Sequence, residues 1–191
     1  MQLRPANSAD SSHIAHLTNL AGEGLPEYLW AADAPPGVSP LAFGASRAAR
    51  AEGNFSYLNV VICEENGQVL GMLLSMAQPA PYELPNLNEL PPQVKPLIEL
   101  EALAPGSYYI NAIGTYEHCR GRGIGTRLMG EAEKLSAAQG INTLSLIVAS
   151  ENRSAERLYL KLGYMPRERL PVIEYTGILH GGDWILMTKK L

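Results

Sequence analysis

The run Cys119-Arg120-Gly121-Arg122-Gly123-Ile124-Gly125-Thr126-Arg127-Leu128 concentrates more potential chemistry than any other stretch of this chain. It follows the β-branched and apolar stretch Tyr108–Thr115. It opens a segment in which Ile124, Leu128, Ala132 and Leu135 recur at helical spacing. A helix that starts here exposes backbone N–H groups with no intrahelical acceptor, together with the positive end of its dipole, and glycines let an anion approach both closely. That is the chemistry of a phosphate-binding turn, with a pyrophosphate as the ligand. Two familiar phosphate loops do not fit. A dinucleotide fingerprint needs glycine at 121, 123 and 126, or at 123, 125 and 128, but those last positions are Thr126 and Leu128. A Walker loop needs a Gly-Lys-Ser/Thr triplet, which the run lacks. What stands is Arg-x-x-Gly-x-Gly at Arg120, Gly123 and Gly125. For these residues alone, the bland alternative is a tight strand-to-helix turn with solvated arginines.

One helix and one strand downstream comes Asn152-Arg153-Ser154-Ala155-Glu156-Arg157-Leu158-Tyr159-Leu160-Lys161-Leu162-Gly163-Tyr164. The two runs together resemble the paired signatures of the GNAT superfamily of acetyl-CoA-dependent N-acetyltransferases: Arg-x-x-Gly-x-Gly, then Asn-x-x-Ala followed by Leu-Tyr-x-Lys-x-Gly-aromatic. The resemblance covers residues 108 to 165 strongly and the flanks in element order and type. One departure stands out. Many members have Pro and Tyr just before the motif arginine, where this chain has Tyr116, Glu117, His118 and Cys119.

The resemblance implies an α/β fold, with a mixed, mostly antiparallel twisted sheet, one splayed strand pair and helices on both faces. It also implies acetyl-CoA as cosubstrate. Ile113, Gly114 and Thr115 then lie along the pantetheine arm, with backbone groups that polarise the thioester carbonyl. Arg120, Gly121, Arg122, Gly123, Ile124, Gly125 and Thr126 hold the pyrophosphate, with charge-assisted contacts from the two arginines. Asn152 contacts or orders the cofactor, or serves as an N-cap. Tyr159 is the general acid for the departing CoA thiolate, the competing role being that of a core aromatic. For the base that frees the amine, Glu99, Glu101, Glu174, His180 and Asp183 are candidates, and the sequence favours none of them. The acidic and aromatic residues Glu23, Glu27, Tyr28 and Trp30 are compatible with a cationic acceptor.

These residues need elements to position them. Gln2 to Ala6 predicts a strand, and Ser8 with Asp10 predicts the start of a helix over 9 to 21. Residues 22 to 53 are rich in Gly, Ala and Pro, with one helical stretch, Leu41 to Glu52. Phe55 to Cys63 and Gln68 to Met76 predict an antiparallel pair joined at Glu65-Asn66-Gly67. Seven prolines between 79 and 106 predict a long surface excursion with one short helix. A βαβα series follows: strand Tyr108 to Thr115, helix Gly123 to Gln139, strand Thr143 to Ala149, helix Ser154 to Leu162. Strands near Pro171 to Tyr175 and Trp184 to Thr188 close the chain, which reads as a single domain over 1 to 191.

Composition bounds the remaining possibilities. A chain of 191 residues with 46% hydrophobic and 18% charged residues buries about 70% of its unfolded surface without help from disulfides or metal. The formal net charge of −4 opposes general attraction to nucleic acid or anionic membrane, so neither is expected as a partner. Cys63 and Cys119 have no CxxC spacing and read as reduced thiols. His13 and His16 share a helix face without a third ligand, and no metal is expected. Neither a signal peptide nor a run of ~20 apolar residues is seen, so the expected compartment is the cytoplasm. The expected partner is a small-molecule or peptide amine, and a homodimer stays open. The rival class is a noncatalytic acyl-CoA sensor that keeps the cofactor site, against which the retained Tyr159 argues.

Overall fold

In the computed structural model, which describes all residues from Met1 to Leu191, the seven strands lie in the order β1 (Gln2–Pro5), β2 (Val60–Glu65), β3 (Gln68–Ala77), β4 (Tyr108–Thr115), β5 (Thr143–Ala149), β7 (Asp183–Lys190), β6 (Met165–Pro171). The β1/β2, β2/β3, β5/β7 and β6/β7 pairs are antiparallel and β4/β5 is parallel, so the sheet is mixed and mostly antiparallel. The chain forms two compact units, Met1–Met76 with Asn111–Glu131, and Ala77–Ile110 with Ala132–Leu191.

The first unit begins with strand β1 (Gln2–Pro5) and a reciprocal capping box. Asn7 accepts from the Ala9 N–H at 2.9 Å while the Asp10 carboxylate accepts from the Asn7 N–H at 2.8 Å, and α1 (Ser11–Ala21) follows. Arg4 clamps Asp10 with two bonds of 2.8 and 2.9 Å and reaches Glu64 of β2 (Val60–Glu65) at 2.7 Å. Ile14 and Leu17 of α1 are fully buried, in a core with Ala48, Val60, Ile62, Met72, Leu74 and Ala112.

The clamp makes stability pH-dependent. The Arg4 hydrogen bond, joined by that of the Asn7 N–H, holds the Asp10 carboxyl below its ordinary 3.8 against the opposing effect of burial. A group whose folded value is depressed contributes stability above its unfolded value and loses it as pH falls through the folded one. Asp10→Ala is therefore expected to cost about 1–2 kcal/mol at pH 7, because it removes the bidentate partner of Arg4, which keeps Glu64, and the acceptor of the Asn7 N–H. In urea melts this difference from the parent chain should shrink once pH drops below 3.8.

Residues 22 to 53 hold two helices rather than the one expected, α2 (Leu25–Asp33) and α3 (Pro40–Ala48). Pro26 and Pro40 stand in the first turns, where a missing N–H costs nothing, so prolines that look like breakers act as starters. The ring of Trp30 lies against α3 at Gly44, where a Cβ would come within 2.5 Å of it. Phe55 to Asn59 does not join β2. Ser56 accepts from the Leu58 N–H at 3.2 Å and closes a 3-10 turn over Tyr57–Asn59 instead. The hairpin to β3 (Gln68–Ala77) turns on Asn66 and Gly67, with φ of 51° and 77°, as Asn-Gly chemistry predicts.

In the second unit, Tyr108↔Leu144, Tyr109↔Ser145 and Ile110↔Leu146 pair β4 (Tyr108–Thr115) with β5 (Thr143–Ala149), and the ladder ends there. Helix α4 (Lys95–Glu101) sets Leu97 and Leu100 against Ala149, Trp184 and Leu186. Strand β7 (Asp183–Lys190) pairs along the whole of β5. The other late strand is β6, Met165–Pro171, and not the expected Pro171 to Tyr175. Its run Met165-Pro166-Arg167-Glu168-Arg169-Leu170-Pro171 is polar because it is a sheet edge, exposed apart from Leu170, and prolines and charges are the composition that discourages further pairing.

Candidate functional site

The first unit carries Ile113, Gly114, Thr115 and the glycine loop. Along β4, Ala112 and Gly114 are buried whereas Asn111, Ile113 and Thr115 retain exposure, so alternate residues give this strand one covered and one accessible face. A Cβ on Gly114 would lie 2.6 Å from the Leu17 carbonyl oxygen, and one on Gly71 would lie 2.7 Å from the Gly114 carbonyl oxygen. Gly114 therefore has a packing reason to be glycine. The departure from the family pattern at Tyr116 to Cys119 is absorbed locally. Tyr116 N–H donates to Leu70 O at 3.0 Å, Glu117–Cys119 form a 3-10 turn, and Cys119 is buried beneath it.

Gly121 and Gly123 then turn the chain with φ of 76° and 77°, and nothing lies within 4 Å of a Cβ built on either. Helix α5 (Ile124–Ala138) begins at once, with Arg127 N–H donating to Gly123 O at 3.1 Å. The N–H groups of Ile124, Gly125 and Thr126 precede any helical acceptor, and Gly123 has no side chain with which to cap them. Ile124, 2% exposed, pins this end to the core while Thr126 faces solvent. The two arginines differ. Arg122 is in an ion pair with Glu65, whose carboxyl it holds below the usual range, whereas Arg120 is exposed and its guanidinium has no side-chain partner. Glu65 is not legible in the sequence as a partner of the loop, since nothing in a hairpin residue signals a partner 57 positions away. His13 and His16 both turn to Tyr116, His13 Nδ1 at 2.7 Å from its hydroxyl and His16 stacked at 5.4 Å between ring centroids. This is an aromatic cluster, and no group of three or more His, Cys, Asp or Glu side chains is arranged to hold a metal.

The second unit carries Asn152 and Tyr159. The turn after β5 is fastened by Asp183 N–H to Ser150 Oγ and Gly181 N–H to Glu151 Oε2, both 2.9 Å. Asn152 accepts from Ala155 N–H at 3.2 Å and so caps α6 (Arg153–Lys161). Tyr159, 7% exposed, is the buried residue of that helix, on the same face as the half-buried Ala155 and Leu158. Its carbonyl accepts from Leu162 and Tyr164 N–H as Gly163, φ 90°, ends the helix. The ring of Tyr159 packs at 6.1 Å from that of Tyr164, a fully buried tyrosine whose hydroxyl has no protein partner and whose phenol burial pushes up. Of the candidate bases, Glu99 and Glu174 are exposed, and Glu174 lines a cavity of about 470 Å³ with Glu151, Val172 and Ile178.

The sequence model described as the acetyltransferase (GNAT) family matches residues 27–164. No curated protein matches the sequence. Among solved structures, an N-acetyltransferase from Staphylococcus aureus Mu50 aligns at TM-score 0.66 and 21% identity over 99% of this chain and 100% of its own. An agmatine N-acetyltransferase aligns at 0.67 and 16% over 100% and 99%. The protein yncA from Salmonella typhimurium, solved with its cofactor acetyl-CoA, aligns at 0.60 and 16% over 100% and 94%. Each of these is a likeness of fold.

Proposed function

The chain belongs to the acetyltransferase (GNAT) family, and from that premise we propose that it transfers the acetyl group of acetyl-CoA to a primary amine, by direct attack in a ternary complex. Acetyl-CoA supplies the acyl group as an activated thioester. The observation that carries the reading is the open, left-handed glycine pair Gly121 and Gly123 before α5, which leaves uncapped N–H donors beside space that side chains would otherwise fill. Ile124, Gly125 and Thr126 donate to the pyrophosphate, and the backbone of Ile113, Gly114 and Thr115 orients the pantetheine arm and polarises the thioester carbonyl. Asn152 orders the start of α6. Tyr159 donates its proton toward the leaving thiolate.

Calorimetry with CoA and free-thiol release over a panel of primary amines test this. The expected result is CoA binding with amine-dependent thiol release. Binding without release across the panel supports the acyl-CoA sensor instead, and no binding ends both readings.

The arginines give a sharper expectation. A guanidinium already paired to a carboxylate has less charge to offer a phosphate than an exposed one. Arg120→Ala should weaken CoA binding by roughly tenfold and Arg122→Ala by no more than about threefold, the first effect shrinking at high salt. Equal losses in calorimetry would show that the Glu65 pair gives way on binding.

A further inference from the structure

The excursion between β3 and β4 is closed at its base, where Gln78 N–H donates to Ser107 O at 2.8 Å and Gly106 N–H to Pro79 O at 3.1 Å. Within it, α4 brings one carboxylate, Glu101, into an arc of donors. The Tyr82 hydroxyl donates at 3.2 Å and Gln78 Nε2 at 3.5 Å. The hydroxyl of Tyr109 on β4, a residue 5% exposed, donates as well. These donors come from three separate places along the chain, and all of them are neutral.

A carboxylate largely removed from water is costly unless its charge is answered, and neutral donors orient the charge without cancelling it. Burial pushes the Glu101 carboxyl up despite the three hydrogen bonds. Burial first and Glu101 second push Tyr82 up to about 12 and Tyr109 well above its ordinary value, so both phenols stay protonated and remain donors. Glu101 nevertheless keeps a limited opening to solvent. The arc therefore orients a partly desolvated carboxylate at a limited opening to solvent. A lysine-like amine of pKa ~10.4 is almost wholly ammonium at pH 7 and arrives as a cation.

We infer that Glu101, held by Tyr82, Tyr109 and Gln78, is the anionic contact for the ammonium group of a primary-amine acceptor. Its place in catalysis rests on the acetyl-transfer reading above, whereas the ammonium contact is a separate physical claim. A charge-assisted bond of this kind orients the nitrogen and selects cationic amines over neutral alcohols of the same shape.

The test uses the full chain carrying ¹³C-labelled glutamate carboxyls, titrated with n-butylammonium chloride, with 1-butanol, and with potassium chloride at matched ionic strength. Tyr82→Phe identifies the Glu101 resonance. The expected result is a saturable shift of that resonance with butylammonium alone. In Glu101→Gln the ammonium affinity should fall about 10- to 100-fold, while CoA affinity by calorimetry changes less than about twofold. A Glu101 resonance that does not respond to butylammonium, or a folded Glu101→Gln chain that binds it unchanged, overturns the inference. If that variant does not fold, the resonance in the parent chain decides. CoA binding without the ammonium contact removes Glu101 alone; the contact without CoA binding removes the transferase reading alone.

Discussion

Tyr159→Phe is expected to lower turnover with acetyl-CoA and an amine by roughly 10- to 10⁴-fold while leaving CoA affinity within about twofold. The substitution removes one oxygen from a ring that is 7% exposed and packed at 6.1 Å against Tyr164, so helix α6 and its burial are retained. The phenolic proton is lost and the ring is kept. A phenol of pKa ~10 facing a thiolate whose conjugate acid has pKa ~8.5 transfers its proton uphill, by about 2 kcal/mol, but partial transfer in the transition state lowers the barrier to C–S cleavage. The effect should appear in kcat more than in KM, because the departing sulfur develops charge only as the bond breaks. Tyr164→Phe serves as the control, since its hydroxyl is fully buried without a protein partner and its removal should leave kcat unchanged. Steady-state thiol release in which Tyr159→Phe matches the parent would remove the acid role and leave Tyr159 as a core aromatic.

The fold is legible in the sequence where local chemistry decides structure. Of the stripe Ile124, Leu128, Ala132 and Leu135, the first three are 2% exposed or less and Leu135 is half-buried at the edge of the covered side of α5. Leu144 to Ala149, apolar apart from Ser145, lies in a strand paired on both sides, and Asn-Gly at 66 and 67 forms the hairpin. Long-range partners were illegible. Nothing near Arg122 pointed to Glu65, and nothing near Glu101 pointed to Tyr82, because these encounters depend on how distant segments meet. Helix α2 was obscured because its turn from α1 uses Glu23 and Gly24 in left-handed geometry and a proline at its start, each of which reads locally as a break. Strand β6 is hidden for the opposite reason. An edge strand does not need the apolar alternation by which strands are recognised.

The two glycines at 114 and 123 should respond to substitution in opposite ways, and the contrast separates packing from ligand binding. Gly123 has φ of 77° with nothing within 4 Å of its Cβ position. Gly123→Val therefore meets no neighbour and carries mainly backbone strain, about 1–2 kcal/mol. Its methyl groups, however, occupy the space beside the uncapped N–H groups of α5. CoA affinity is expected to fall by roughly 100-fold or more, the loss of several charge-assisted backbone bonds at once, with the melting temperature lowered by only a few degrees. Gly114→Ala meets backbone: its Cβ would lie 2.6 Å from the Leu17 carbonyl oxygen, so α1 and β4 must move apart. That costs about 1–3 kcal/mol, or roughly 3 to 10 °C for a chain of this length, and it perturbs β4 only through the shift. Parallel calorimetry and thermal melts distinguish the cases. If Gly123→Val binds CoA as the parent does, the turn at Arg120 to Thr126 is a strand-to-helix connection and nothing more, and the N–H groups of α5 are answered by water.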